Sequence, residues 1–287
     1  IYRKLRNIID DMCDARPFEK YAARNNIDIS NATISGCYLF NPGKNNTFLV
    51  DTGGGNFQEF KLTKEDFVTP EGVGFPDLKR KYYALDMYLE HQFNDRWYGK
   101  LEYVFSRSYG NSEGLLKSDI GQRDPSVTQD WDAPELMIGS NGPLPNDRTH
   151  QLKGYGWFQM NEQWLFGANL AILSGRPKNC IGASPNDPIQ YGESYFYCDG
   201  KIAPRGSKGR LPYTYQLDLS AQWTPAFANH QLAFTADVFN VTGKQRVTSQ
   251  SEYGNTDVGV ADPDYQRPLS FQTPRYLRLG ARWDFSL

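Results

Sequence analysis

From Lys79 onward the chain repeats one pattern, stretches in which apolar and polar positions alternate, each followed by a turn. Tyr83, Leu85, Met87 and Leu89 alternate with Tyr82, Ala84, Asp86, Tyr88 and Glu90, and Trp97, Gly99, Leu101, Tyr103 and Phe105 with Tyr98, Lys100, Glu102, Val104 and Ser106. The pattern weakens over Arg148 to Gln159, where Gly154 and Gly156 thin one face. It returns in Trp164, Phe166, Ala168, Leu170 and Ile172, in Tyr215, Leu217, Leu219, Ala221 and Trp223, and in Leu232, Phe234, Ala236 and Val238. The closing stretch sets Leu277, Leu279, Ala281, Trp283 and Phe285 against Tyr276, Arg278, Gly280, Arg282 and Asp284. A period of two places the two sets on opposite faces of a β-strand, so the spacing predicts an antiparallel all-β protein.

The connections alternate as regularly as the strands. Those at about 93–96, 160–163 and 224–230 are short, whereas 13–78, 109–147, 174–211 and 241–274 are long and rich in Asn, Asp, Gly and Pro. Within the first long segment, Thr47–Val50 and Asn56–Leu62 flank Asp-Thr-Gly-Gly-Gly and predict a small hairpin. Residues 1–12 read two ways: Leu5, Ile8, Ile9 and Met12 have helical spacing, and Ile1–Leu5 also suits the end of a strand.

An apolar face free of Asp, Glu, Lys and Arg suits a soluble core as well as lipid, so the faces alone leave both environments open. Two features favour lipid. A strict short–long alternation of connections is expected of an up-and-down membrane barrel. In addition, Trp97 and Trp164 open strands after short turns and Trp223 and Trp283 close strands before a short turn or the C-terminus, so all four gather at one rim on the apolar parity. Trp157 lies at that end too, on a strand whose facing the pattern leaves open. A membrane interface collects indoles in this way; a sandwich core has no cause to. No apolar run approaches the ~20 residues of a membrane-spanning helix. The mean hydropathy of -0.63 fits half-polar strands, and a net charge of -2 with pI near 6.0 gives no reason to propose nucleic acid.

Four cysteines form two local pairs in loop-like sequence, Cys13 with Cys37 and Cys180 with Cys198. Proximity favours these two disulfides among the three connectivities available, in an oxidising compartment. Neither their spacing nor His91, His150 or His230 suggests zinc. Phe48–Gly53 imitates an aspartic-protease motif, but that chemistry needs a second aspartate, and the successive glycines suit a hairpin tip. Gln129–Glu135 groups Asp130, Asp132 and Glu135 and reads as a solvated loop rather than a Ca²⁺ site, as do Asp262 and Asp264. No catalytic residue, metal or cofactor is expected.

Several short motifs together resemble a known family. Arg278-x-Gly280-x-x-Trp283-x-Phe285 resembles the β-signal of bacterial outer-membrane barrels, with Ser286 and Leu287 following where many such proteins end on the aromatic residue. Asn146–His150, Ser174–Pro177, Pro204–Ser207, Gly209–Pro212 and Asp237–Val241, in this order, resemble the C-terminal part of TonB-dependent outer-membrane receptors of the Oar-like group. The resemblance covers most of the chain from about residue 79, and residues 1–78 look like an outer loop of the same group. It implies a 22-stranded barrel plugged by an N-terminal domain, energised through TonB, and located in the outer membrane of a Gram-negative bacterium. It also implies recognition of Arg278, Gly280, Trp283 and Phe285 by the barrel-assembly machinery.

The expectation is therefore a partial antiparallel up-and-down transmembrane β-barrel of about seven or eight strands, with extracellular loops at 13–78, 109–147, 174–211 and 241–274. Ile1 follows no initiator Met or signal peptide, and the strand count falls short of the implied barrel, so residues 1–287 are expected to be the C-terminal part of one barrel domain. The outward parity faces outer-membrane lipid. Asp86, Glu90, Lys100, Glu102, Lys153, Asp218, Asp237, Arg278, Arg282 and Asp284 line the lumen or meet the plug. Tyr191, Tyr195, Phe196 and Tyr197 beside Cys198 are the candidate contacts for an unidentified transported ligand. TonB would act through the region upstream of this chain. Two other readings stay open: a barrel with an adhesion or structural role and no energised transport, and a soluble β-sandwich binding module.

Overall fold

The computed structural model describes residues 1–287 apart from Ser35, Asp95, Arg123, Asp124, Pro188, Asn229, His230, Ser286 and Leu287. Eight strands follow one another across a single antiparallel sheet: β1 (Tyr2–Leu5), β2 (Arg80–His91), β3 (Trp97–Gly110), β4 (His150–Gln159), β5 (Trp164–Leu173), β6 (Thr214–Trp223), β7 (Leu232–Phe239) and β8 (Tyr276–Trp283). Their order in the sheet is their order in the chain, which is the up-and-down topology the connections predicted. A two-residue strand, Gly142–Pro143, extends the sheet beside the end of β3. Parts of the first and third short turns, Asp95 and Asn229–His230, lie outside the described residues.

The register carries the two faces across every strand pair. On the outer face Trp97 lies opposite Phe158, Phe158 opposite Phe166, and Phe166 opposite Ala221. Trp164 lies opposite Trp223, Trp223 opposite Phe234, and Trp283 opposite Leu232. These residues form an aromatic band at the short-turn end, in which Trp164 and Trp223 stack with centroids 6.1 Å apart. Trp157 takes the other face, between Tyr98 and Gly167, and its ring stacks on Tyr98 at 4.3 Å. The outer face carries large exposed apolar side chains, among them Leu89 at 74% and Leu279 at 72% exposure. No second large sheet covers either face among the described residues, where the remaining ladders have two strands each. That arrangement removes the β-sandwich reading, which requires two facing sheets.

The first long connection is more than a polar loop with a hairpin. The predicted hairpin forms, as Asn46–Asp51 with Phe57–Leu62, and Asp51 accepts the N–H groups of Gly53 and Gly55 at its tip. The segment also contains a helix, α1 (Arg16–Asn25), and a ladder between Asp10–Met12 and Tyr38–Phe40, with a disulfide joining Cys13 to Cys37. The helix has the expected local signals: Pro17 in the first turn, Glu19 at the N-terminal end, Arg24 in the last turn, and Asn26 in the left-handed conformation at the C-cap. Residues 1–12 accordingly form β1 and a second short strand rather than a helix.

This module has its own core. Met12, Phe18, Ala22, Phe40, Phe48, Val50, Phe60 and Leu62 are buried together, and Trp131 and Met137 from the second long connection join them. Its aromatics are scattered among Asn and Gly without a single period, so sequence periodicity could not assemble them. Phe18 packs on Tyr38 and Phe48 at 4.7 and 5.1 Å, contacts that bridge three separate elements.

Candidate functional site

The four long connections lie at the end of the sheet away from the tryptophans and lock into one cap. Arg16 joins the first to the second: its guanidinium donates to Glu135 at 2.7 and 2.9 Å while also holding Asp14. Asp10 reinforces this joint by accepting both the backbone N–H and the hydroxyl of Thr128, at 2.6 and 2.7 Å. The Cys180–Cys198 disulfide closes the third connection on itself. The third joins the second through Arg205 and the fourth through Asn179 and Arg176.

Arg205 sits at the centre of this assembly with no solvent exposure. It bonds Asp119, donates to Asp130 at 3.2 Å and to the Ser140 carbonyl at 2.7 Å, and lies over the Phe196 ring at 4.7 Å. Lys117, equally buried, is 3.1 Å from the other Asp130 oxygen. Asn179 donates to Asp119 at 2.6 Å and to Glu252 at 2.5 Å, and Arg176 lies 3.3 Å from Glu252. Glu113 completes the cluster 3.8 Å from Arg205.

Four carboxylates thus share three cations out of water. Burial, reinforced by the charge of Asp119, pushes Glu113 up to about 7. Burial also pushes Glu252 up to about 7, against the pull of Arg176. For Arg205, the burial that would lower its pKa is outweighed by Asp119, Asp130 and Glu113. An ion cluster of this kind rigidifies only while every member keeps its partner.

The cap shows what the sequence motifs do. Asp147 accepts the Ser108 N–H at 2.6 Å and bonds Arg210, fastening two connections to the top of β3. Asn240, with φ at 46°, donates to the Lys244 and Thr273 carbonyls at 2.9 and 2.8 Å and fastens the fourth. Arg176 and Arg205, quoted above only as parts of a resemblance, are buried charge partners. Lys117, Asp119, Asn179 and Glu252 escaped the sequence reading because each pairs over sixty or more positions or lies in irregular backbone.

The acidic run at Gln129–Glu135 does not converge on a cation: Asp130 pairs with Lys117 and Arg205, Glu135 with Arg16, and Asp132 accepts the Tyr191 hydroxyl at 2.9 Å. Asp264 pairs with Arg267, and His150 meets the Tyr103 hydroxyl at 2.8 Å. Among the four candidate ligand aromatics, Tyr195 and Phe196 are interior, at 1% and 0% exposure. Tyr195 bonds Asp187, and Phe196 lies under Arg205, so both shape the cap from within. Tyr191 and Tyr197 are half-buried at its edge.

Below the cap, polar rows cross the inner face of the sheet. One row runs Glu90, Lys100, Tyr155, Asn169 and Asp218 across five strands, with Glu90 and Lys100 3.7 Å apart and Asn169 donating to Asp218 at 3.3 Å. The next runs Tyr98, Trp157, Gly167, Ser220, Asp237 and Arg278. A cavity of about 400 Å³ lies along these rows, hollowed at Gly167, where a Cβ would meet the Ser220 hydroxyl at 2.4 Å. At the mouth, a second cavity of about 560 Å³ is lined by Arg3, Arg80, Tyr82, Ser108 and Asn146. Among the described residues neither arginine has a carboxylate partner. Gly114, at φ 100°, leaves room for the Arg80 guanidinium where a Cβ would come within 2.6 Å.

In β8, Arg278 pairs with Asp237 at 2.9 Å on the inner face, and Gly280 sits where a Cβ would lie 2.6 Å from the Thr235 hydroxyl. Trp283 points outward, and Phe285 is exposed just past the strand end, with Ser286 and Leu287 outside the described residues.

No family model matches the chain. It is 28% identical over 251 residues to the TonB-dependent transporter Oar of Myxococcus xanthus, an alignment that covers 74% of this chain and 23% of that protein. The chain therefore spans about a quarter of the length of the curated relative it matches. Among solved structures it is similar to the outer membrane transporter YddB from Escherichia coli, with a TM-score of 0.47, 15% identity, and coverage of 87% of this chain and 30% of that one. It is also similar to the ferric-catecholate import receptor Fiu from Escherichia coli K12, with a TM-score of 0.45, 14% identity, and coverage of 76% and 23%. These proteins are transporters and receptors rather than enzymes. The chain resembles the Oar-like TonB-dependent transporters, and its eight main strands form an up-and-down antiparallel sheet with large apolar side chains along one face.

Proposed function

We propose that this chain is the C-terminal barrel portion of an energised outer-membrane transporter: the cap admits a ligand, the lumen beside β2–β8 conducts it, and a plug upstream in the protein gates the passage through TonB. The observation that carries this reading is the union of the four long connections into one cap over an inner wall crossed by polar rows such as Glu90, Lys100, Tyr155, Asn169 and Asp218. A barrel serving only as an anchor has no need of a lined passage beneath its loops. The mouth cavity, where Arg3 and Arg80 have no carboxylate partner among the described residues, favours a ligand bearing an anionic group. Tyr191 and Tyr197, half-buried, are the aromatic residues we propose for ligand contact, while Tyr195 and Phe196 hold the cap's shape. The chain's chemistry is binding and passage, with no catalytic step.

In the same reading the last strand carries the assembly signal. Arg278 and Gly280 face inward, Trp283 faces lipid, and Phe285 follows, a constellation the barrel-assembly machinery would engage at the sheet's edge.

The test is binding of the periplasmic domain of TonB to the full-length protein purified from outer membranes. Saturable binding supports energised transport. Its absence, with the barrel folded, sinks that reading in favour of a barrel whose cap serves docking or adhesion.

A further inference from the structure

The outer face of β1–β3 changes character at its upper end. There the register sets Tyr2 opposite Tyr83 and Tyr83 opposite Arg107; in the row above, Lys4 lies opposite Lys81 and Lys81 opposite Tyr109. Three cations and three tyrosines therefore fill a two-by-three block on a face that is otherwise apolar. Lys4 and Lys81 are exposed, as are Tyr2, Tyr83 and Tyr109 at 65%, 46% and 44%.

Directly opposed like charges repel across a strand pair, so Lys4 facing Lys81 is unfavourable unless an anion lies between them. Among the described residues no carboxylate comes within ion-pair distance of either lysine. Arg107 has only a loose contact of 3.8 Å with Asp147, whose carboxylate is already held by Arg210 and the Ser108 N–H.

The height of the block identifies what it meets. Ten residues of strand separate Trp97, in the lower aromatic band, from Arg107. At about 3.4 Å per residue and a tilt of about 40°, that is a rise of about 26 Å, matching the apolar band of an outer-membrane barrel. Lys81, paired with Tyr109, stands about one row higher. The cations thus emerge at the headgroup level of the outer leaflet, with Tyr2 and Tyr83 beside Arg107 in the lower row and Tyr109 beside the lysines in the upper one. The patch is local: the uppermost outward residues of the next five strands are His150, Ile172, Tyr215, Val238 and Leu277. The lower rim carries Trp97, Trp164, Trp223 and Trp283 instead.

We propose that Lys4, Lys81 and Arg107, with Tyr2, Tyr83 and Tyr109, form a binding site on the barrel's exterior for the phosphates of an outer-leaflet glycolipid. The cations neutralise the phosphates and the tyrosines pack on the sugar and the first methylenes. The site lies on the outward parity of the strands, with Lys4 also bordering the mouth cavity, and does not depend on transport.

The experiment uses the full-length protein in detergent, with native mass spectrometry and two probes, diphosphoryl lipid A and the same lipid without phosphates. At about five-fold in affinity per cation, three cations give about 100-fold. The expected result is at least ten-fold tighter binding of the diphosphoryl lipid by the unmodified protein. The triple variant Lys4→Gln, Lys81→Gln, Arg107→Gln is expected to lose about 100-fold, and Lys153→Gln on the inner face to lose nothing. Equal binding of the two lipids overturns the proposal without recourse to any variant, as does full retention by a folded triple variant. Displacement of the lipid by inorganic phosphate at equal concentration would mark a free-anion site and also overturn it.

Discussion

Acid is expected to tighten the cap, and Glu113 and Glu252 are the reason. Each is buried among the charges that join the second, third and fourth connections, and each has its pKa raised by burial from an ordinary 4.5 to about 7. Glu113 faces Asp119, Asp130, Ser118 and Arg205; Glu252 faces Arg176, Asp119 and Asn179. Between pH 4.5 and about 7 the folded cap holds protons that the unfolded loops have released. Stability therefore falls as pH rises through that window. A shift of this size corresponds to about 3 kcal/mol for either residue alone, and the shared neighbour Asp119 makes the pair less than additive in charge. Asp10 and Asp132, raised by burial to about 6, act in the same direction over a lower range.

Gln imitates the protonated acid, so Glu113→Gln or Glu252→Gln is expected to leave the cap unchanged at pH 5 and to stabilise it at pH 8 by up to about 3 kcal/mol. Hydrogen exchange of the full-length protein, corrected for intrinsic rates and followed in peptides from 111–149, 174–213 and 240–275, measures this. Protection that is flat between pH 5 and 8, or rises with pH, refutes the argument.

Two further substitutions separate the cap from the wall. Arg205→Met leaves Asp130 buried with Lys117 and Asp119 buried with Arg176 at a looser 3.7 Å, and is expected to cost the cap about 3–5 kcal/mol, seen as rapid proteolysis of the second and third connections while the sheet keeps its heat-resistant mobility in gels. In β5, Leu170→Arg places a cation on the lipid face at a cost of about 2–4 kcal/mol in urea unfolding from vesicles, whereas Asn169→Arg, one residue away on the inner face, is expected to cost less than about 1 kcal/mol.

The wall was legible because its physics is periodic. Each strand repeats every two residues and each short turn sits beside a tryptophan, so a single chain states the sheet, its faces and its rims. The strand start at Lys79 lies within one residue of β2 at Arg80, while β3 runs on to Gly110, past the loop start expected at 109; the alternation was followed only over Tyr82–Glu90 and Trp97–Ser106, so the outward cations Lys81 and Arg107 just beyond it were not noticed. The cap was legible only in fragments. Its hairpin and disulfides are local and were found. The helix Arg16–Asn25 was missed although Pro17, Glu19 and Arg24 announced it. The buried ions could not be found by spacing, since Asn179 meets Asp119 sixty positions away and Arg205 meets Asp119 at eighty-six. Tyr195 and Phe196 illustrate the same limit, because exposed and buried aromatics look alike in an irregular loop.

The central claim is that one parity of these strands faces lipid and the other water. Single cysteines placed at successive positions from Gln216 to Ser220 in β6, spin-labelled in the full-length protein in vesicles, test it directly. Labels at 217 and 219 are expected to collide with dissolved oxygen and to be shielded from a water-soluble nickel complex, while labels at 216, 218 and 220 show the reverse. Accessibility without a period of two, or nickel access at 217 and 219, would contradict it.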